Sequence, residues 1–520
     1  MPPFSPSLTF DFAGIQLDRR QGLSRQLYQV LRQRILDGRI SSDTRLPASR
    51  DLARALSISR NSVMRAYDQL YAEGYIEGRI GDGTYVAQLQ EKSTPPKNLS
   101  TKLSTGLPTG LSTGLSTKRP PVTEVLSSKV IHSTALDLLG KHHLSPRKTG
   151  LPRAFRVGVP AFDLFPFAVW GKLHAAFWRK PDMQQLGYGD AAGEWRLREL
   201  IAAYLRTSRD LHCTVEQIVI TSGAQQAITL CAQLLLETGD GVAVENPGYR
   251  AAGHAFAIAG AKLHGIPLDG EGMCSNELER SSSKLAYVTP SHQYPTGVTM
   301  SLARRLQLLA WAERTGGWIV EDDYDGEYRY SGAPLAPLAA LDQHGRVLYV
   351  GTFGKVAFPA LRLGYLVLPL NLVEPFSQRR AVDMRHSEIG TQAVMAEFIA
   401  AGHFQRHIRR MRRAALSRRN ALLAGWPGEI AGCGPMPKPM AGLHVALKVD
   451  SIAREQELVT LAESVGVEIN PLSEYWLPDT STPIDERAGL VLGFAAVPEA
   501  DIASALERLR KVWALDPGPL

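Results

Sequence analysis

Apolar positions near the N-terminus fall at helical spacing. Leu23, Leu27, Leu31 and Ile35 recur four residues apart, with Val30 beside them, and Gly38 stands where that helix would stop. Ser49 is placed to cap a short helix carrying Leu52, Ala53 and Leu56. After a tight turn at Ser57-Ile58, Ser59 is placed to cap a third helix with Val63, Ala66, Tyr67 and Leu70 on its apolar face. The opposite face begins with Arg60, Asn61, Ser62 and Arg65. The period then shortens. Tyr75-Ile76, Arg79-Ile80 and Thr84-Tyr85-Val86 lie about a Gly81-Asp82-Gly83 loop, which predicts a hairpin. Helix, short helix, turn, helix, hairpin is the order of a winged helix-turn-helix, whose second turn helix offers its N-terminal residues to the DNA major groove. Arg60 and Arg65 suit guanine edges or phosphate, and Asn61 suits adenine.

A different pattern follows further along. Short β-forming runs alternate with amphipathic helical stretches: Gln217-Ile218-Val219-Ile220, Gly241-Val242-Ala243-Val244, Leu285-Ala286-Tyr287-Val288, Trp318-Ile319-Val320 and Val347-Leu348-Tyr349-Val350. Continuous apolar runs bounded by turn residues predict an α/β domain with a buried sheet. Leu490-Val491-Leu492-Gly493-Phe494 reads as a late strand.

Between the two patterns, residues 89–122 are rich in Ser, Thr, Pro, Gly and Lys, and a short unit recurs from Leu103-Ser104-Thr105-Gly106 to Leu115-Ser116-Thr117. One apolar residue in four builds no core, so this stretch reads as a flexible linker. The expected division is a DNA-binding module at 1–88, a linker at 89–150 and a larger module at 151–515. The 520 residues, 44% hydrophobic and 21% charged, fit such a multidomain globular chain. No apolar run approaches the ~20 residues of a membrane helix. Met1-Pro2-Pro3-Phe4 opens no signal peptide, and Cys213, Cys231, Cys274 and Cys433 are too scattered for a zinc site or a disulfide framework; both point to the cytoplasm and to no metal. The net charge of +7 says little by itself, since residues 1–87 hold 12 Arg and no Lys against 9 acids.

Ligands of such sheets bind at the carboxyl ends of strands, and the unusual residues stand there. The first run leads into Thr221-Ser222-Gly223-Ala224-Gln225, small residues suited to an anion at a helix N-terminus. The second leads to Glu245-Asn246-Pro247-Gly248-Tyr249, where Tyr249 fits a binding site or the core equally well. The third leads to Ser291-His292-Gln293-Tyr294-Pro295-Thr296-Gly297. The fourth ends in Glu321-Asp322-Asp323-Tyr324-Asp325, which fits a metal site or one buried carboxylate with solvated neighbours. The fifth leads to Gly351-Thr352-Phe353-Gly354-Lys355 and then Arg362-Leu363-Gly364. A lysine in a glycine-bounded turn with an arginine seven residues on suggests a Schiff-base lysine near a phosphate, although a surface lysine explains that item alone. Arg406, Arg409, Arg410, Arg412, Arg413, Arg418 and Arg419 cluster on a later helix and read as a solvated or dimer-interface face, or as a second DNA contact.

Two resemblances sharpen this reading. Leu46-Pro47-Ala48-Ser49-Arg50-Asp51-Leu52-Ala53, Ser59-Arg60-Asn61-Ser62-Val63 and Gly81-Asp82-Gly83-Thr84-Tyr85-Val86 resemble the GntR-type DNA-binding domain over about residues 20–88. The resemblance implies that Arg50, Ser59, Arg60, Asn61, Ser62, Arg65, Gly81 and Gly83 lie at the DNA. Ser42-Asp43 departs from the Pro-Gly usual there and adds a negative charge on the DNA side. Residues of about 150–515 resemble fold-type I aminotransferases, with a large domain and a smaller α+β C-terminal domain. By that resemblance the cofactor is pyridoxal 5'-phosphate, Lys355 forms the aldimine, Asp322 pairs with the pyridinium nitrogen, Tyr324 lies near the ring hydroxyl and Tyr249 stacks on the ring. Ser222, Gly223, Ala224, Thr352 and Arg362 hold the phosphate, and Tyr188 reaches the partner subunit's phosphate, which implies a homodimer. Tyr294 replaces the usual asparagine, so His292 or Gln293 is expected to serve the ring hydroxyl. Val491 sits about where enzymes carry the arginine that clamps the substrate carboxylate, with Arg487 close by.

The two parts in this order are similar to the MocR family of transcription regulators. The resemblance implies a regulator that binds double-stranded operator DNA and senses an amine, an amino acid or the cofactor itself at Lys355. An aminotransferase that also binds DNA, and a repressor with a vestigial large domain, are the other readings.

Overall fold

The computed structural model describes residues 15, 17–18, 22–79, 82–87, 134–141, 148–330 and 335–513. Helices α1 (Leu23–Leu36), α2 (Ser49–Ala55) and α3 (Arg60–Ala72) precede an antiparallel hairpin of β1 (Ile76–Arg79) and β2 (Gly83–Val86), with Ile76 opposite Val86 and Arg79 opposite Gly83. Leu27, Leu31, Leu52, Val63 and Leu70 are wholly buried at the centre, as their spacing requires. The hydroxyl of Ser59 accepts from the backbone N–H of Ser62 (3.1 Å) and caps α3. Ser49 does not cap α2. The first turn closes on the carbonyl of Ala48, which leaves Ser49 inside the helix, where its hydroxyl accepts from Arg60 Nε (3.3 Å). Asp43 takes a left-handed conformation (φ 63°) and its carboxylate accepts from Arg79, so the charge anticipated on the DNA side is paired.

The module rests on the larger one. Arg25 donates to the carbonyls of Thr207 (2.7 Å) and Arg206 (2.9 Å), Gln29 donates to Asp210 (2.9 Å), and Arg32 stands 3.7 Å from the same carboxylate. Leu302 of the larger module packs into the small module's core beneath Gly74, where an added Cβ would lie 3.6 Å from it. The repeats and nearly all of the expected linker lie outside the described residues. One segment of it, Thr134–Lys141, is helical and lies beside helix Arg250–Ile258.

Eight strands form the main sheet: β3 (Ile218–Thr221), β4 (Gly241–Asn246), β5 (Lys262–Asp269), β6 (Gly272–Met273), β7 (Ser283–Val288), β8 (Trp318–Asp322), β9 (Val347–Thr352) and β10 (Gly364–Val367). Their order is β3-β10-β9-β8-β7-β4-β5-β6. Pairing is parallel from β9 through β5, whereas β10 runs antiparallel to both neighbours. Both faces are covered. Val242, Val244, Leu285 and Val350 meet helices Ala224–Leu235 and Arg250–Ile258, and the alternate residues Ala243, Ala286 and Ile319 meet Leu308 and Trp311 of helix Leu302–Thr315. Two-sided burial is why these strands read as unbroken apolar runs. A smaller antiparallel sheet, β11 (His444–Lys448), β13 (Gly489–Gly493) and β12 (Asn470–Pro471) in that order, packs on helices Ile452–Ser464 and Glu499–Trp513.

The arginine-rich helix, His403–Gly425, is only partly a solvated face. Arg412 donates to the carbonyl of Glu327 (2.8 Å), Arg418 to Ala495 (2.7 Å) and Asp163 (2.6 Å), and Arg419 to Pro439 (2.8 Å); these three pin the helix to its neighbours. Arg406, Arg409, Arg410 and Arg413 are exposed.

Candidate functional site

Arg50, Ser59, Arg60, Asn61 and Arg65 are exposed at the N-terminal end of α3 and its approach, and Ser62 is half-buried among them. This is the end that a recognition helix presents to base edges. In the wing, Gly83 has φ 129° and an added Cβ there would lie 3.1 Å from Arg45 Nε; Gly81 lies outside the described residues. Arg60→Ala is expected to weaken operator binding by ~1–3 kcal/mol with cofactor loading unchanged, which gel-shift titration checks.

The second site gathers at the carboxyl ends of β3, β8 and β9. Gly223 (φ 87°) is the residue from which helix Ala224–Leu235 starts, so its turn directs backbone N–H groups at an anion reinforced by the helix dipole. Arg362 (φ 49°) turns back to donate to the carbonyl of Ser222 (2.7 Å). Gly364 brings β10 against this turn: a Cβ on it would lie 2.9 Å from both Gly223 Cα and the carbonyl oxygen of Gly351. Gly364→Val should therefore push the cradle open and lower phosphate-dependent cofactor affinity at least tenfold, measured by fluorescence titration, with the winged helix unaffected. Thr352 ends β9, and its hydroxyl accepts from Gly354 N (3.1 Å). Three residues on, Lys355 Nζ donates to the carbonyl of Gly158 (2.8 Å).

Asp322 ends β8. Its Oδ2 accepts from Tyr287 (2.7 Å), whereas its buried Oδ1 has no partner. Burial pushes this carboxyl up to about 7, against the opposing pull of the Tyr287 hydrogen bond. An orphaned buried carboxylate oxygen is costly unless a donor meets it, and a pyridinium N–H is such a donor. The residues present thus fit pyridoxal phosphate. Tyr249 is half-buried, with its hydroxyl 3.3 Å from Gln225 Oε1. Tyr188 is 92% exposed, its ring edge-on to that of His386 (centroids 6.0 Å apart).

The acidic run does not converge on one ion, and its members are buried, not solvated. Glu321 accepts from the backbone of Leu338 (2.8 Å) and Ala339 (2.9 Å), Asp323 pairs with Arg209 (2.5 Å) and Tyr349 (2.7 Å), and Asp325 lies 3.0 Å from His292 Nδ1. His292, Asp325 and His444 do bring ligand-type atoms within 4.8 Å of one another. Hydrogen bonds hold part of that group: His292 Nδ1 also lies 3.0 Å from the Tyr324 hydroxyl, and His444 Nε2 donates to the carbonyl of Pro295 (3.0 Å), while His292 Nε2 and Asp325 Oδ1 have no hydrogen-bond partner among the described residues. His292 is thereby held between Tyr324 and Asp325. Gln293 is committed to Glu245 (3.1 Å) and the carbonyls of Pro247 (3.0 Å) and Tyr294 (2.7 Å). Arg487 donates to the carbonyls of Thr480 and Thr482, away from the site. Tyr287, Gly158 and the ring of aromatics around Tyr294 went unread in the sequence. Tyr287 looked like one more core residue of its strand, and nothing in the spacing links Gly158 to Lys355.

Fold and site together define a pyridoxal-phosphate domain of the aminotransferase type joined to a DNA-binding winged helix. Residues 160–509 match the aminotransferase class I and II family, and residues 23–86 match the gntR family of bacterial regulatory proteins. The chain belongs to the MocR-type transcription regulators, in which these two domains occur in this order. It is 34% identical to the probable rhizopine catabolism regulatory protein MocR of Rhizobium meliloti, over 94% of each chain. It is 31% identical to the pyridoxine biosynthesis transcriptional regulator PdxR of Corynebacterium glutamicum, over 94% of this chain and 96% of that one. Among solved structures, Pyrococcus horikoshii kynurenine aminotransferase superposes with a TM-score of 0.63 at 28% identity, covering 75% of this chain and 96% of its own. Among the described residues, no helix is long and apolar enough to cross a membrane.

Proposed function

We propose that the large domain is a sensor for a primary amine, that it works as a homodimer in the cytoplasm, and that its ligand state sets how two winged helices address operator DNA. The observation that carries this reading is the partnerless Oδ1 of Asp322, set at one strand end beside the turn that bears Lys355. Pyridoxal phosphate held there supplies an aldehyde carbon that condenses reversibly with primary amines. The chain's own groups do the rest. Asp322 keeps the ring nitrogen protonated, Tyr249 covers the ring, and Tyr324 with His292 behind it faces the ring hydroxyl. The amides at Ser222–Ala224, Thr352 and Arg362 take the phosphate. Lys355 holds the cofactor and yields its place to an incoming amine. Tyr188, exposed on its own chain, extends to the partner's phosphate. An effector that binds two dimer states unequally then shifts the spacing of the DNA modules by that difference in free energy, with the linker limiting their reach.

An aminotransferase that also binds DNA is the second reading, favoured by the presence of Lys355, Asp322 and Arg362 together. Titrating the visible absorbance with amines and then a keto acid separates the two. A band that shifts and persists marks a sensor; a band that bleaches and returns with the keto acid marks an enzyme.

A further inference from the structure

The end of the site away from the phosphate turn is aromatic. Tyr294 stands at its centre, with ring centroids 5.8 Å from Tyr249, 5.7 Å from Tyr324, 5.4 Å from Tyr475 and 5.2 Å from His444, each steeply inclined to it. Val491 of β13 is fully buried against this group, packed with Tyr475, Leu472, Tyr294 and Val157. Val157 adjoins Gly158, whose carbonyl receives Lys355 Nζ. A ligand nitrogen brought to Lys355 therefore carries its substituents toward Tyr294, Tyr475 and Val491.

The arginines around this box hold backbone or histidine partners, although the buried Nε of Arg250 has none among the described residues. Arg487, four residues before Val491, holds the carbonyl of Thr482 through Nε (2.9 Å) and Nη2 (2.7 Å). Arg250, which follows Tyr249, donates to the carbonyl of Trp476 and contacts His254 (3.3 Å). Arg362 lies on the phosphate side with Ser222. His444 is held well below its usual range by burial and by His292, so it is neutral. A carboxylate moved from water into such surroundings loses its hydration without an ion pair to replace it, which disfavours its binding. An uncharged substituent enters at no such cost and gains contact with the tyrosine rings around Tyr294.

We infer that the effector is a primary amine with no carboxylate on the carbon bearing its nitrogen, and that an uncharged body fills the box formed by Tyr294, Tyr249, Tyr475 and Val491. This rests on the proposed amine exchange at Lys355 and names the ligand class it serves. The test uses the full-length, cofactor-loaded protein and matched pairs: tyramine with tyrosine, phenethylamine with phenylalanine, ethanolamine with serine. Each is titrated while the visible band is followed. In at least one pair the decarboxylated amine should half-saturate the change at a concentration about tenfold or more below its parent. Parents that half-saturate at equal or lower concentrations in every pair overturn the inference and leave the amine-sensing reading standing. A band that answers neither member of any pair overturns both. Val491→Arg is expected to reverse the preference; an unchanged preference in a variant that keeps its visible band removes Val491 from the box. The comparison on the native protein decides even if that variant fails to fold.

Discussion

Lys355→Ala is expected to abolish covalent cofactor attachment altogether. After borohydride reduction, the native protein should gain the mass of one pyridoxyl phosphate per chain and the variant none. The expectation is all-or-none because the attachment is one bond to one nitrogen, and Lys355 Nζ is the amine that the turn after β9 delivers to the site. The fold should survive, since the turn stays tied by Tyr328, whose hydroxyl donates to the carbonyl of Lys355 (2.7 Å) irrespective of the side chain. Operator affinity in the absence of effector should persist, because the winged helix has its own core around Leu31, Leu52 and Val63. What disappears is the response: adding the effector should no longer change DNA binding. A reduced adduct that persists on another lysine, or a full effector response in the variant, would remove Lys355 from the mechanism.

The outlines were legible in the sequence for physical reasons that also mark where legibility ends. The core strands of the main sheet are buried on both faces, so Ile218–Ile220 and Val347–Val350 announce themselves as apolar runs. β10 is as apolar, with Tyr365-Leu366-Val367-Leu368 after Gly364, but its antiparallel insertion between β3 and β9 has no local signal. β5, next to the two-residue edge strand β6, has only Ile266 fully buried and includes His264 and Pro267, so it makes no apolar run. Within the site, the groups that contact the chain's own turns were readable, because Gly223, Lys355 and Arg362 sit in turns that leave a composition signature. The groups that act on one another across the fold were not. The Tyr287–Asp322 and His292–Asp325 pairs join residues more than thirty positions apart, and the four acids of the β8 turn could be assigned only once Arg209, Tyr349 and the Leu338 backbone were seen to claim them separately.

Asp322→Asn should act in opposite directions on the empty and the loaded protein. In the empty protein the carboxyl is pushed from 3.8 up to about 7. A carboxyl raised in this way binds its proton more tightly when folded, so stability is highest below about pH 4, falls as pH rises towards 7, and levels off above. Three pH units at ~1.4 kcal/mol each make the loss roughly 4 kcal/mol at neutral pH. Asparagine cannot ionise and removes that loss, while its buried amide returns roughly 1–3 kcal/mol of penalty. The cofactor-free variant should therefore unfold at a higher temperature than the native protein at pH 8, and the advantage should vanish or reverse at pH 4. The loaded protein has the contrary balance. There the carboxylate meets a pyridinium, and removing one partner of a buried charge pair costs roughly 3–5 kcal/mol, at least a hundredfold in cofactor affinity. Calorimetry at the two pH values, with and without cofactor, reads both signs in one variant. If the empty variant gains nothing at pH 8 and the cofactor binds it as tightly as before, the orphaned oxygen of Asp322 is not the seat of the ring nitrogen.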